Sequence, residues 1–380
     1  MTTIIKKVSS KKELKQFIRF NYELYKNNPY SVPDLYEDML KTFSPQKNPA
    51  FEFCEADYFL AIRDGRVVGR VAAIVNHRAN DKWGKKAVRF GWIDFIDDEE
   101  VSRQLIETVE AWGRERGLDI IEGPLGFTDL DAEGMLIEGF DQLGTMATIY
   151  NYPYYPVHME RIGMKKEMDW IEMKLKVPVA TPEKYVRISE VVKAKFHLHV
   201  RKLKNMREIR ESGIGYRIFD LINEAYSSLF NFSEMTKGQI DQYINEYLPI
   251  LDLDMVTLVE DEAGELVGVG ISMASLSTTL QKARGRLFPF GWIHFIKSLY
   301  IKRPPILDLL LVAVKPEYQN KGVNALLFTD LIPIYIKKGF KWGETNPELE
   351  INEKVQSQWQ YLENEIHKRR RCFTKPITSK

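Results

Sequence analysis

A strand, a turn and a helix follow one another in the segment that most constrains the fold of this chain. The apolar run at residues 309–314 predicts a buried strand, and Pro316 ends it. A polar turn around Gly322 follows, and apolar residues then recur at helical spacing over 325–332. The first N–H groups of such a helix have no internal partners and lie at the positive end of its dipole. The turn at residues 319–324 therefore predicts a site for an anion such as a diphosphate.

At these positions the sequence resembles the GNAT superfamily of acyl-CoA N-acyltransferases. The pyrophosphate loop of that family reads Arg/Gln-x-x-Gly-x-Gly/Ala after a strand that ends in Val-x-Pro-x-Tyr/His. Residues 314–324 match this pattern except at the last position, where Asn324 stands for Gly or Ala. The alternative is an ordinary strand-to-helix connection that contains a glycine. The resemblance implies acetyl-CoA or a longer acyl-CoA as co-substrate, with no metal, and these binding residues: Leu311, Val312, Ala313, Val314, Gln319, Asn320, Lys321, Gly322, Val323, Asn324 and Ala325.

Composition and charge exclude several other classes. The net charge is +1, from 54 basic and 53 acidic residues, so no global field recruits nucleic acid. The two cysteines form no spaced pattern, which suits a reducing cytosol. The N-terminus has no apolar signal region, and no uncharged apolar run is long enough to span a bilayer. We therefore expect a cytoplasmic protein that binds a small molecule and no nucleic acid.

Each half of the chain reads as an α/β unit, and prolines divide the halves near residues 177–182. Both halves predict an antiparallel hairpin, a strand, a helix and a further strand, which is the element order of a GNAT domain. The expected fold is thus α/β (α+β), with two tandem GNAT-like domains, 1–177 and 183–380, each a mixed sheet flanked by helices. A terminal helix is predicted over 352–368.

The two halves differ where the phosphate loop should lie. In the N-terminal half this position is a run of four carboxylates, residues 97–100, which repels a diphosphate. The C-terminal half has the good loop, so it should carry the cofactor. Tandem arrangements of this kind also occur in peptidoglycan-bridge aminoacyl transferases and protein N-myristoyltransferases.

The resemblance also implies catalytic positions. In the family, backbone N–H groups of the strand before the loop hold the thioester oxygen, and bases lie on that strand or its neighbour. The candidates by position are Asp308, Glu344 and Asn346. The acid for the leaving thiol is usually a Tyr seven residues after an Asn in the last helix. Counting from Asn352 reaches Trp359, so the acid is either Tyr361 or water.

The sequence constrains the identity of the acceptor amine less than it constrains the fold or the co-substrate. Residues 287–303 combine aromatic, aliphatic and cationic side chains, which is typical of either a peripheral membrane contact or a buried helix. Several C-terminal stretches resemble the bacterial GNAT-fold proteins to which ceramide synthases belong, so the acceptor amine is expected to include lipid amines such as sphingoid bases. Two alternatives stay open. One is a CoA-binding protein without turnover. The other is a transferase that uses aminoacyl-tRNA, which the basic residues 369–371 could bind.

Overall fold

A computed structural model describes residues 2–378 of the 380-residue chain. Within that range the backbone forms strands that are numbered here in chain order: β1 Ile4–Lys7, β2 Cys54–Arg63, β3 Arg66–Asn76, β4 Ala87–Phe95, β5 Ile120–Gly123, β6 Met135–Glu138, β7 Lys165–Lys176, β8 His199–Arg201, β9 Val256–Glu260, β10 Leu266–Ala274, β11 Ile306–Val314, β12 Trp342–Thr345, β13 Glu348–Leu349 and β14 Asn364–Pro376.

Some of the helices start at a residue whose side chain caps the first turn. Helix α1, for example, starts with a capping box between Ser10 and Glu13. The same range of the chain contains α1 Lys11–Leu24, α2 Tyr36–Thr42, α3 His77–Trp83, α4 Glu99–Arg114, α5 Tyr154–Arg161, α6 Glu183–Phe196, α7 Met206–Glu211, α8 Ile214–Tyr226, α9 Lys237–Tyr247, α10 Ser277–Ala283, α11 Gly291–Ile296, α12 Asn324–Lys337 and α13 Glu353–Gln356. None of these helices is long and apolar enough to cross a membrane.

The chain folds into two compact units, neither of which is continuous in sequence. Unit 1 comprises Met1–Ile171, Ser277–His294 and His367–Lys380, and unit 2 comprises Glu172–Leu276 and Phe295–Ile366. Strand β7 leaves unit 1 and ends in unit 2, while β14 begins in unit 2 and ends in unit 1. The division into domains 1–177 and 183–380 stays a prediction.

Unit 1 contains a mixed sheet in the order β1-β2-β3-β4-β5-β14. The long hairpin β2–β3 is antiparallel, and β4 continues it with a register shift between Arg70 and Ala72. Strands β4 and β5 are parallel, but they pair over only three positions, from Ala87 to Arg89 on β4. Helix α4 packs its apolar side against this sheet through Val101, Leu105 and related core residues. These are the elements of a GNAT-like layout.

Unit 2 repeats the arrangement with the strand order β7-β12-β11-β10-β9-β8. Its hairpin β9–β10 is antiparallel, β11 pairs antiparallel with β10, and β12 lies parallel to β11. Helix α12 covers one face of the sheet, where Leu327 and Leu331 belong to two neighbouring core clusters. Helix α6 packs beside α12 through Val192. The strand and the amphipathic helix expected over 309–332 are therefore β11 and the first part of α12, although residues 309–312 are half-buried rather than buried.

The terminal helix expected over 352–368 is wrong. A single turn, α13, follows Asn352, whose side chain accepts a hydrogen bond from the Val355 N–H, and the chain then enters strand β14. Between Lys368 and Cys372 β14 buries alternate side chains, which is the strand period. The charged run disguised this alternation, because two of the buried side chains are Lys368 and Arg370. The sequence did not predict helix α9.

Candidate active site

Strands β11 and β12 of unit 2 pair at one end and separate at the other. Their parallel register runs from Ile306 opposite Trp342 to Leu309 opposite Thr345, and it stops there. Asn346 marks the point of separation: its N–H donates to the Leu309 carbonyl at 3.2 Å, and its side-chain Nδ2 donates to the Leu310 carbonyl at 2.8 Å. Strand β11 then continues to Val314 on its β10 side alone. The separation leaves an edge of β11 without a strand partner in unit 2.

A bulge lies at the same place. The β10–β11 register shifts between Ile271 and Ser272, so that Leu310 is an extra residue on β11. Beyond it, the hydroxyl of Tyr226 donates to the Val312 carbonyl at 3.1 Å. The predicted cofactor residues of the strand, Leu311, Val312, Ala313 and Val314, therefore lie along the part of β11 that β12 does not cover.

The predicted phosphate loop connects β11 to α12. It contains a short 3-10 turn, Pro316–Tyr318, and the Gln319 side chain donates to the Val314 carbonyl at 3.2 Å. Two residues have left-handed backbone, Asn320 with φ +61° and Gly322 with φ +83°. A side chain at Gly322 would also place its Cβ 2.7 Å from the Cγ2 of Ile188 in α6. Glycine is required at this position by both the turn and the packing.

The loop leaves a row of backbone donors open. The N–H groups of Ala325 and Leu326 donate to the carbonyls of Gly322 and Val323, at 3.0 and 2.9 Å. In the described part of the chain, the N–H groups of Gly322, Val323 and Asn324 have no hydrogen-bond partner. Helix α12 has no side-chain cap and no acidic residue in its first turn. Three consecutive N–H groups at the positive end of a helix suit an anionic ligand.

Lys321 adds a cation beside these donors. Its Nζ lies over the rings of Phe196 and Tyr318, 5.2 and 5.4 Å from the ring centres. Both are cation–π distances, and they hold the otherwise flexible side chain next to the loop. The Lys321 side chain and the open N–H groups together fit the diphosphate of a CoA thioester.

Two of the predicted carboxylates meet across the paired end of β11 and β12. Asp308 lies opposite Glu344 in the parallel register, so both side chains are on one face of the sheet. The opposite face carries Leu307, which is in the core beneath α12. Asp308 is buried and Glu344 is half-buried. This brings two acids together beside the point where the strands separate.

The other two predicted residues lie differently. The Asn346 side chain is committed to the Leu310 carbonyl, so it holds the strand end in place. Tyr361 is on no helix: it follows a 3-10 turn, and its ring packs against Tyr185 at the start of α6, 5.4 Å between ring centres. The Tyr185 hydroxyl in turn donates to the Gln358 carbonyl at 2.6 Å. The catalytic roles of Asp308, Glu344, Asn346 and Tyr361 all stay predictions.

Sequence reasoning missed Glu348. Its Oε1 accepts a hydrogen bond from the Trp359 indole N–H at 2.8 Å, and Oε2 is buried with no hydrogen-bond partner among residues 2–378. Burial raises the pKa of this carboxyl to about 7. Trp359 packs on Phe328 of α12, which places the acid on the helix side of the sheet. No local signal singles it out, because Glu348 begins the two-residue strand β13 within a polar stretch of sequence that contains other glutamates.

The Gln358 side chain links this region to the phosphate loop. Its Oε1 accepts a hydrogen bond from the Nδ2 of Asn324 at 2.9 Å, and its own Nε2 has no partner in the described structure. Asn324 is the one position at which the loop departs from the family pattern. Its side chain thus has a structural task that Gly or Ala could not perform.

The corresponding turn of unit 1 is occupied by the protein itself. Asp98 caps helix α4, where its carboxylate accepts hydrogen bonds from the N–H groups of Glu100 at 3.0 Å and Val101 at 3.2 Å. Arg63 lies 2.7 Å from the same carboxylate and holds the pKa of Asp98 below its usual value. Glu99 and Glu100 add negative charge to the first turn. The expectation that unit 1 has no site for a diphosphate stays a prediction.

The basic run near the C-terminus is also satisfied internally. Arg371 makes a bidentate pair with Asp169, at 2.8 and 3.0 Å, and Arg370 is buried and donates to the Ile149 carbonyl. These side chains stabilise unit 1. They form no solvent-exposed cluster for RNA.

No family model matches the chain. Among curated proteins it is 25% identical over 382 residues to Protein YghO of Escherichia coli (strain K12), covering 98% of this chain and 95% of that protein. It is 26% identical over 322 residues to a bacterial ceramide synthase of Caulobacter vibrioides (strain NA1000 / CB15N), covering 84% and 82%. Among solved structures, a tandem GNAT protein from the clavulanic acid biosynthesis pathway superposes with a TM-score of 0.55 over 100% of both chains, at 13% identity. The chain has the tandem GNAT fold.

Proposed function

We propose that the protein is an acyl-CoA-dependent N-acyltransferase whose co-substrate binds in unit 2. The observation that carries this proposal is the row of three open N–H groups, Gly322 to Asn324, at the start of α12. The diphosphate of acetyl-CoA or a longer acyl-CoA binds there, with Lys321 beside it. The uncovered edge of β11, Leu311–Val314, then offers backbone groups to the pantetheine arm and the thioester oxygen.

The acceptor amine must lose a proton before it attacks. A free alkyl amine has a pKa near ~10, so it is mostly protonated at neutral pH. Glu344 is half-buried and lies beside Asp308 at the separation of the strands, and we assign it to removing this proton, directly or through water. The C–N bond forms as the C–S bond breaks, and the CoA thiol is the leaving group. The co-substrate supplies the activated acyl group.

The acceptor we propose is an amine with a large apolar part, such as a sphingoid base. The support is the similarity to a protein named as a bacterial ceramide synthase, which covers most of both chains. Exposed aromatic side chains between residues 288 and 300 add to it, because such a surface suits an amphiphilic acceptor.

A CoA-binding protein without turnover is the second candidate. The observation that favours it is the engagement of Asn346 with Leu310 and of Tyr361 with Tyr185, which leaves the leaving thiol without an assigned acid. The basic run at 369–371 was the reason to consider an aminoacyl-tRNA donor. Because these side chains are internally paired or buried, the run does not support that donor.

Calorimetry with CoA, acetyl-CoA and palmitoyl-CoA tests the cofactor claim. Gly322→Ala should abolish binding, and Gly339→Ala is the matched control. Both glycines have positive φ, +83° and +80°, so the backbone strain is alike, but nothing lies within 4 Å of a Cβ at Gly339. Micromolar binding lost only in the first variant supports the proposal. No binding of any CoA compound below millimolar would refute it.

Turnover is tested separately, by following thiol release from palmitoyl-CoA with a sphingoid base and with a short alkyl amine. Release that needs the amine, and that is faster with the long-chain one, supports the lipid acceptor. Release with the short amine alone would leave N-acyl transfer intact and reject the lipid substrate. CoA binding with no release from any amine would favour the non-catalytic candidate.

A further inference from the structure

One segment of the chain concentrates its exposed apolar surface. Among residues 2–378, every large aromatic side chain that is exposed lies between residues 288 and 300. Phe288 and Phe290 are each 71% exposed and Tyr300 is 76% exposed. Four more exposed side chains belong to the same stretch: Trp292, Ile293, Ile296 and Ile301. Isolated exposed apolar residues are ordinary, but seven along 14 residues mark an interaction surface.

The segment has defined local structure on a fixed base. In unit 1, the Gly285 carbonyl accepts a hydrogen bond from the Tyr36 N–H at 2.8 Å, and the Gln281 side chain donates to the carbonyls of Pro29 and Ser31, both at 2.9 Å. A tight turn follows, in which a Cβ at Gly291 would lie 1.7 Å from the Arg286 carbonyl oxygen. These contacts fix the start of the segment within unit 1, directly before the exposed Phe288 and Phe290.

The apolar residues are carried on a short helical stretch. Helix α11 continues into a π-helical turn, Lys297–Ile301. The Trp292 indole N–H donates to the Pro289 carbonyl at 3.0 Å, so its polar atom is satisfied within the segment. At six residues α11 is far too short to span a bilayer, so this stretch can lie only at an interface.

The charges of the segment are all of one sign. Residues 284–303 include five Lys and Arg and no Asp or Glu, although the whole chain is nearly neutral. Two of the five are engaged: Arg286 lies over the Tyr36 ring, and Arg303 is 3.4 Å from Asp252. The other three, Arg284, Lys297 and Lys302, are exposed and have no carboxylate partner in the described part of the chain.

We propose that residues 284–303 are a docking surface for an anionic membrane. The aromatic and aliphatic side chains enter the interfacial layer, where Trp and Tyr are favoured, and the three free cations face the anionic headgroups. Charge decides between this partner and a second copy of the chain. A two-fold dimer through this surface would set the same cations against each other, whereas an anionic bilayer complements them.

The test is co-sedimentation with vesicles of phosphatidylcholine, with and without 30% phosphatidylglycerol. Purified full-length protein is used without acyl-CoA or amine, so the result does not depend on the proposed activity. We expect about tenfold stronger partitioning onto the anionic vesicles, with much of that gain lost at 0.5 M salt because screening weakens the attraction. Partitioning onto neither vesicle would overturn the proposal.

Two variants separate the apolar and electrostatic parts. The triple variant Phe288→Ser, Phe290→Ser, Trp292→Ser should lose at least tenfold of the partitioning onto both vesicles. Reversal of charge, Arg284→Glu with Lys297→Glu and Lys302→Glu, should remove the preference for anionic lipid while the weak binding to neutral lipid remains. The matched control changes three exposed apolar residues elsewhere, Ile4, Val179 and Ile351, to Ser, and it should bind as the wild type does.

Light scattering tests the alternative that this surface binds a second copy of the chain. A wild-type dimer that becomes a monomer in the Phe288, Phe290, Trp292 variant, with no vesicle binding by either, would identify the surface as a self-association site and reject the membrane. Brominated lipid gives a direct readout. Quenching of tryptophan emission that is reduced in a Trp292→Phe variant places this residue in the lipid, and unchanged quenching would contradict the proposed orientation.

Discussion

Helices α4 and α12 begin after equivalent strands in the two units, but only one of them is capped. In unit 1, the Asp98 carboxylate accepts hydrogen bonds from two first-turn N–H groups, and two more acids follow it. In unit 2, Val323 stands at the cap position, no side chain serves the N–H groups, and no acid follows. A helix start whose first N–H groups have no partner in the described structure suits an anionic ligand, since buried or half-buried donors are normally paired.

The parallel strand pairs beside these helices, β4–β5 in unit 1 and β11–β12 in unit 2, also differ in how their acidic side chains are placed. The third paired position of β11 and β12 sets Asp308 opposite Glu344, whereas the third of β4 and β5 sets Arg89 opposite Glu122. Glu122 is buried and pairs with Lys85 at 3.0 Å, and Arg89 donates to two backbone carbonyls. Unit 1 thus neutralises its acid internally, while unit 2 places two acids together. A catalytic role for the two acids of unit 2 stays a prediction, and Glu344 is the one that we propose as the base.

The largest effect should come from Glu344→Gln. If this carboxylate accepts the amine proton, turnover should fall at least about 100-fold, the lower range for a general base. The affinity for CoA should not change, because the phosphate loop is untouched. The control is Glu122→Gln at the equivalent position of unit 1, which should lower stability through the lost Lys85 pair but leave turnover per folded molecule near that of wild type. Equal losses of turnover in both variants would contradict the proposal that only the acid of unit 2 takes part in the reaction.

Asn324→Asp should weaken CoA binding by about 30- to 100-fold. A carboxylate at the start of α12 repels the diphosphate, at an expected cost of about 2 kcal/mol or more, although it favours the helix itself. The new carboxylate cannot donate to the Gln358 Oε1 as Asn324 does, and its favourable place at the helix start offsets this loss. A thermal stability that changes little, with lost affinity in calorimetry, is therefore the expected pair of results. Asp98→Asn, which removes the same charge from unit 1 and keeps the cap, should leave CoA affinity unchanged. If affinity survives in Asn324→Asp, the diphosphate lies elsewhere.

The sequence predicts the strand, loop and helix of unit 2 well, because apolar period, Pro316 and Gly322 all agree over that segment. It fails at β14, where the buried Lys368 and Arg370 hide the alternation of a strand. Their charges are met by carbonyls far away in the chain, at Leu143 and Ile149, which no local pattern announces. Glu348 was missed for the same reason: its burial depends on Trp359, which tertiary folding brings above it.

Glu348→Gln should make the protein more stable at pH 8 and have little effect near pH 4.5. Burial raises the folded pKa to about 7, against an ordinary value of 4.5, so the unfolded chain ionises first as the pH rises. The contribution of Glu348 to the free energy of unfolding is therefore largest below pH 4.5. It declines between pH 4.5 and pH 7 and is smallest above pH 7. The variant avoids the cost of a buried charge, worth about 3 kcal/mol at pH 8 for a pKa raised from 4.5 to about 7.

Parallel denaturant titrations of wild type and Glu348→Gln at pH 5 and pH 8 measure this difference. Unit 1 has acids of this kind as well, since desolvation raises the pKa of the half-buried Asp34 and Asp131 to about 6. Only the difference between variant and wild type isolates Glu348. Glu363→Gln, at an exposed ion pair with Lys176, serves as control and should show no such pH dependence. A constant difference at both pH values would show that Glu348 is ionised in the folded protein throughout.

The smallest effect should come from Asp98→Ala, which opens the capped helix of unit 1. Loss of an N-cap carboxylate costs about 1 kcal/mol of stability, measured by denaturant unfolding. The freed N–H groups should not create a second CoA site, because Asp97, Glu99 and Glu100 still surround them with negative charge. Calorimetry should therefore give one CoA site per chain with unchanged affinity. A second site in this variant would mean that the cap alone, and not the carboxylate run, keeps unit 1 from binding the cofactor.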